Sequence, residues 1–63
     1  MGETRKAVTK ELSRLVTVAD HRMACFDGGG DSKDLDEAMR AYKMIRELCE
    51  SQLVVIAAAR MHR

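Results

Sequence analysis

The chemically richest pair in this 63-residue chain is His21 and Cys25. They stand four residues apart, a spacing that puts both on one face of a helix and can supply two metal ligands. A structural zinc site takes four ligands. No second pair exists in the chain, so only a site shared across a dimer would complete the set, and neither a metal nor a cofactor is expected. A Cys–His nucleophile needs an oriented third group and an oxyanion hole, and nothing in the sequence points to either. Cys49 is expected to be a small buried apolar residue. Two cysteines are too few for a disulfide framework, which suits a reduced, cytoplasmic setting.

Asp27-Gly28-Gly29-Gly30-Asp31-Ser32 concentrates glycine and carboxylates. It lacks the Gly-Lys-Ser/Thr ending of a phosphate loop. A calcium loop opening at Asp27 would need a carboxylate where Ala38 stands. What the stretch does supply is a helix stop: glycine readily takes the left-handed conformation that closes a helix. Asp31 or Ser32 then caps the next helix, with Asp34, Asp36 and Glu37 in its first turns, where the helix dipole favours carboxylates.

Ser32-Lys33-Asp34-Leu35-Asp36, followed by Met39 and Tyr42, resembles the Ser-x-Glu-Leu-Asp motif of the sporulation aspartyl-phosphatases, which are also short helical hairpins. The resemblance implies dephosphorylation of a response regulator, with Asp36 matching the motif's final aspartate. A capped helix start generates Ser-x-Asp-Leu-Asp by itself, and the chain is read here as non-enzymatic. In size and plan it is also similar to the repressor-of-primer hairpin, which implies a dimeric four-helix bundle and RNA binding. That likeness rests on the fold plan alone.

The elements that hold these residues follow from periodicity. Val8, Leu12, Leu15, Val16, Ala19, Met23 and Phe26 fall within an arc of roughly 100° on a helix. The first helix is expected over about residues 3–27, with Thr4 as its N-cap, and the glycine-rich turn over 28–31. A second helix is expected over about 32–62. Leu35, Ala38, Tyr42, Ile45, Cys49, Gln52, Ile56 and Ala59 alternate spacings of three and four, the seam of a coiled-coil-like bundle. Tyr42 is read as core with its hydroxyl at the rim. Gln52 either fixes register or reaches water at the edge of the seam. With Met39, Ala41, Leu48, Leu53 and Val55 flanking, the apolar arc of this helix reaches roughly 200°. Its polar face carries the i,i+4 pairs Asp36–Arg40, Lys43–Glu47 and Arg46–Glu50. A connection this short makes the helices antiparallel neighbours, an all-α helical hairpin. The second helix is expected to overhang the first by roughly six residues, or ~9 Å.

Charge is polarised along that hairpin. Residues 27–37 hold five carboxylates against Lys33, while Arg5, Lys6, Lys10 and Arg14 gather at the other end with Arg60 and Arg63. The Lys6–Lys10–Arg14 ridge runs against the helix dipole and its members repel at i,i+4. It is a solvated face, a selector of antiparallel orientation in a dimer, or a contact for phosphates or an acidic partner.

Domains of this size seldom stabilise themselves through one core. The net charge of +1 directs the chain to neither nucleic acid nor an anionic membrane. With two aromatic residues, Phe26 and Tyr42, it also lacks a base-stacking platform. The longest apolar run, Leu53–Ala59, has seven residues against the ~20 that span a bilayer, and the charged N-terminus carries no secretory signal. The wide face of the second helix is therefore expected to be buried by self-association, most simply as a dimeric four-helix bundle. Tyr42, Ile45, Leu48, Cys49, Gln52, Leu53, Val55, Ile56 and Ala59 form that interface. The function expected is that of a small interaction, adaptor or regulatory protein. Nucleic-acid binding through Lys6, Lys10 and Arg14, the phosphatase activity, and a module of a phage-type assembly are the alternatives.

Overall fold

The computed structural model describes the backbone of residues 2–62 and the side chains of residues 5–62. Helix α1 spans Gly2–Asp27 and helix α2 spans Ser32–Met61. They pack against each other as an antiparallel hairpin of 52 × 18 × 12 Å. Because α1 already includes Thr4, that residue lies inside the helix instead of capping it. The helices are 26 and 30 residues long, so the excess of α2 is four residues, ~6 Å, and shorter than the pattern suggested.

The turn is built by its backbone. Gly29, two residues past the end of α1, takes a φ of 102°, the left-handed region. Its N–H donates to Phe26 O at 3.1 Å, and the Gly30 N–H reaches back to Cys25 O at 2.9 Å. This pair of bonds satisfies carbonyls that the helix end leaves free, the arrangement of a Schellman motif. Asp31 then caps α2: its Oδ1 accepts from the Lys33 N–H at 2.9 Å. A hydrogen bond between Arg22 Nη1 and Asp34 Oδ1, 3.3 Å long, ties α1 to the first turn of α2 beside the glycines.

The core is small and mostly alanine. Among the described residues Leu15, Ala19, Ala38 and Ala41 are the buried ones, with Val18, Ile45 and Leu48 packed around Leu15, Ala19 and Ala41. Alanine carries no side chain beyond Cβ, so the two backbones approach closely where Ala19 meets α2. This contact sets the rotation of α2. The line that faces α1 is Ala38, Ala41, Ile45, Leu48 and Gln52, all buried or half-buried. Leu35, Tyr42, Cys49 and Ile56, expected on the same seam, are exposed instead. Tyr42 and Cys49 are therefore not core residues of the hairpin, because small side chains at 38 and 41 win the closest approach. On α1, Val16 and Phe26 are exposed while Val8, Leu12 and Met23 are half-buried.

Of the three glycines in the turn, Gly30 has the least room. A Cβ there would meet the Asp34 carboxylate and would lie 2.7 Å from Cys25 O, which belongs to the backbone and cannot swing away. Gly30→Ala is expected to cost about 1–3 kcal/mol. Gly29→Ala should cost about 1–2 kcal/mol, since an L side chain is strained at its φ. Gly28→Ala, where a Cβ has ordinary contacts no nearer than 3.5 Å, should stay within about 0.5 kcal/mol. Urea unfolding at one fixed protein concentration measures the series. The order Gly30, Gly29, Gly28 is the result to check.

Candidate functional site

With α1 covering one line of α2, a second line is left without a partner. It runs through Leu35, Met39, Tyr42, Arg46, Cys49, Leu53, Ile56 and Arg60, again in alternating steps of four and three. Every member is exposed. Only the two arginines interrupt its apolar character. Rotation of about 100° per residue in two antiparallel helices puts Val16 and Met23 of α1 on the same broad side of the hairpin. The opposite broad side differs. There a shallow groove between the helices is lined by Arg14, Glu37 and Arg40 around Val18 and Met44. α2 thus carries a mostly apolar line on one broad side of the hairpin, and charged groups line the groove on the other.

Toward its C-terminal end α2 loses even this sidedness. Leu53, Val54, Val55 and Ile56 are 64%, 68%, 57% and 54% exposed. Four successive residues step around the whole circumference of a helix, so every direction about the axis presents an apolar side chain to water. Ala57, Ala58, Ala59 and Met61 continue the exposed run.

The residues expected at an oligomer interface fall into two groups. Ile45, Leu48 and Gln52 lie on the line toward α1, with Ile45 and Leu48 packed on the buried cluster. Tyr42, Cys49, Leu53, Val55, Ile56 and Ala59 are exposed. Met39, which the sequence placed only as a flanking residue, belongs to the second line, and so do Arg46 and Arg60. Their 3–4 spacing was visible in the sequence. What hid it was that α2 carries two such lines side by side, and only the position of α1 separates them.

The molecule's surface area points the same way. A folded monomer of 7.1 kDa has an expected accessible area of ~4,100 Å² from the usual size scaling. The hairpin exposes 5391 Å², an excess of ~1,300 Å² over that scaling. Stable interfaces remove ~800 Å² or more from each partner.

The basic ridge is altered by a neighbour. Arg14 donates from Nε and Nη2 to the two carboxylate oxygens of Glu11, at 2.9 and 2.7 Å. The forked pair commits the Arg14 guanidinium to an intrachain carboxylate, leaving Lys6 and Lys10 exposed on the outside of α1. The i,i+4 pairs expected on α2 do not form: among the described residues the ion pairs are Glu11–Arg14 and Arg22–Asp34.

His21 and Cys25 do meet, with Nε2 and Sγ 3.6 Å apart on an exposed turn of α1. Cys25 and Cys49 are free thiols. Among the described residues no three His, Cys, Asp or Glu side chains converge as a metal cluster would require. Asp36 is exposed in the first turns of α2, beside Met39, Arg40 and Lys43 around a shallow hollow on the outer surface of that helix. No helix among the described residues is long and apolar enough to cross a membrane.

The hydrogen bonds from Arg14, reinforced by its charge, hold the Glu11 carboxyl below its ordinary value, and Glu11 in turn raises Arg14. A carboxyl lowered in the folded state stabilises that state above the ordinary glutamate range, and the contribution is lost as pH falls through the lowered value. A titration followed by carboxyl carbon NMR should show Glu11 below that range. Arg14→Ala should bring it back. An unchanged Glu11 midpoint in that variant would mean the fork is absent in solution.

Compared with protein-family models, with curated proteins and with solved structures, the chain finds no match.

Proposed function

We propose that this hairpin is a non-enzymatic interaction module, an adaptor or regulatory protein that works through helix-face contacts and self-association. The observation that carries the reading is the run Leu53–Ile56, apolar and exposed on all sides of α2. A single neighbour covers one side of a helix, and α1 already occupies that place. Burial of the remaining sides takes further helices, which the hairpin does not have. The second apolar line on α2 and the excess surface of ~1,300 Å² both support the same conclusion. A two-fold pairing of hairpins gives a four-helix bundle, an arrangement that short helical hairpins reach with little more than their apolar faces.

Nucleic-acid binding through Lys6, Lys10 and Arg14 is the weaker reading, because Arg14 is already engaged by Glu11. The aspartyl-phosphatase reading has one feature in its favour, the exposure of Asp36.

The substitutions Leu53→Asp and Ile56→Asp test the proposal. Both side chains are exposed in the single hairpin, so a molecule that works alone should tolerate them within about 0.5 kcal/mol. In an obligate assembly each buries an unpaired carboxylate, at a cost of about 3 kcal/mol or more. The expected outcome is lost helicity in circular dichroism and an unfolding midpoint that no longer rises with protein concentration. Unchanged helicity and an unchanged midpoint would contradict the proposal.

A further inference from the structure

Resting on that reading, we infer that the second apolar line of α2 is covered by the same line of a second copy of this chain, with the two α2 helices running antiparallel. The line has the step pattern of a coiled-coil seam: Met39, Arg46, Leu53 and Arg60 occupy one set of positions a heptad apart, and Leu35, Tyr42, Cys49 and Ile56 the other. In a parallel pair, each position meets its own copy. Arg46 would then face Arg46, and Arg60 would face Arg60, two layers of like charge within the seam.

An antiparallel pair joins one set to the other. Met39 then lies opposite Ile56 of the second copy, Tyr42 opposite Leu53, Arg46 opposite Cys49, and Leu35 opposite Arg60. The apolar residues pair among themselves and no arginine meets its own copy. Arg46 comes within reach of Glu50 in the second copy. Arg60 comes beside Asp31 and Asp36, at the acidic end of the other hairpin. The basic and acidic poles of the molecule are thereby brought together, and the two arginines that interrupt the seam set its direction.

Disulfide trapping tests the direction separately from the association. In a background of Cys25→Ser and Cys49→Ser, the double variant M39C/I56C places its two new thiols seventeen residues apart, ~26 Å along one helix, so any bond between them joins two chains. Oxidation with oxidised glutathione should convert most of this variant to covalent dimer on a non-reducing gel, while M39C alone and I56C alone stay monomeric on that gel. Cys49 in an otherwise native chain carrying only Cys25→Ser should trap at least tenfold more slowly, because the two Cys49 side chains are staggered along the axis. Arg46→Leu removes the like-charge layer at the seam's centre and should raise trapping at Cys49 by admitting the parallel pair. Rapid trapping at Cys49, or by M39C alone as fast as by the M39C/I56C pair, would show parallel helices and overturn the inference while leaving self-association intact. A non-covalent dimer that none of these thiols traps would place the contact on another face and overturn it too. A wild type that sediments as a monomer would remove this inference and the proposed function together.

Discussion

The rest of the hairpin depends on the packing of Ala19 with Ala41 and Leu15. Alanine there and at Ala38, also buried, leaves room for the helices to pack closely, and closeness decides which line of α2 is spent on α1. Had larger side chains occupied 38 and 41, the helices would stand farther apart and α2 could turn its Tyr42–Cys49 line inward. As the chain is, the bulky apolar residues Met39, Tyr42, Leu53 and Ile56 are left outside. The smallest side chains thus determine where the largest ones are displayed.

The same contact limits what the hairpin can do alone. A core of one leucine and three alanines removes little apolar surface from water, while ordering the two helices carries the full conformational cost. The turn contributes its share through the Schellman bonds at Gly29 and Gly30, the Asp31 cap and the Arg22–Asp34 hydrogen bond. Those devices fix the geometry of one end. At the other end, where Leu53–Ile56 are each more than half exposed, the described residues form no comparable set of bonds. The hairpin is thus well specified at the loop and open at the tail.

Much of this was legible in the residues. The helices, their lengths to within a residue or two, the glycine stop, a cap at Asp31 or Ser32 and the antiparallel hairpin all follow from local rules that do not depend on how α2 is rotated. The rotation was not legible. On α2 the apolar arc is so wide that two adjacent 3–4 lines fit inside it, and periodicity weighs them equally. Hence Tyr42 and Cys49, expected on the seam of a bundle, are exposed on the single hairpin, while Ala41 and Leu48 take the places beside α1. Side-chain size would have separated the lines, since a closely packed helix pair selects alanine. The Arg22–Asp34 link also escaped the sequence, because it joins residues twelve apart across the turn. The Glu11–Arg14 fork could have been read from its i,i+3 spacing, and it redirects one member of the basic ridge.

The central claim is that the exposed line of α2 is covered by a second copy of the chain. The mass of the native protein in equilibrium sedimentation, over a range from micromolar to millimolar chain, tests this most directly. The account predicts a species of twice the 7.1 kDa chain mass, dissociating only on dilution and losing helicity as it does. A helical species that keeps the single-chain mass across the whole range would contradict it.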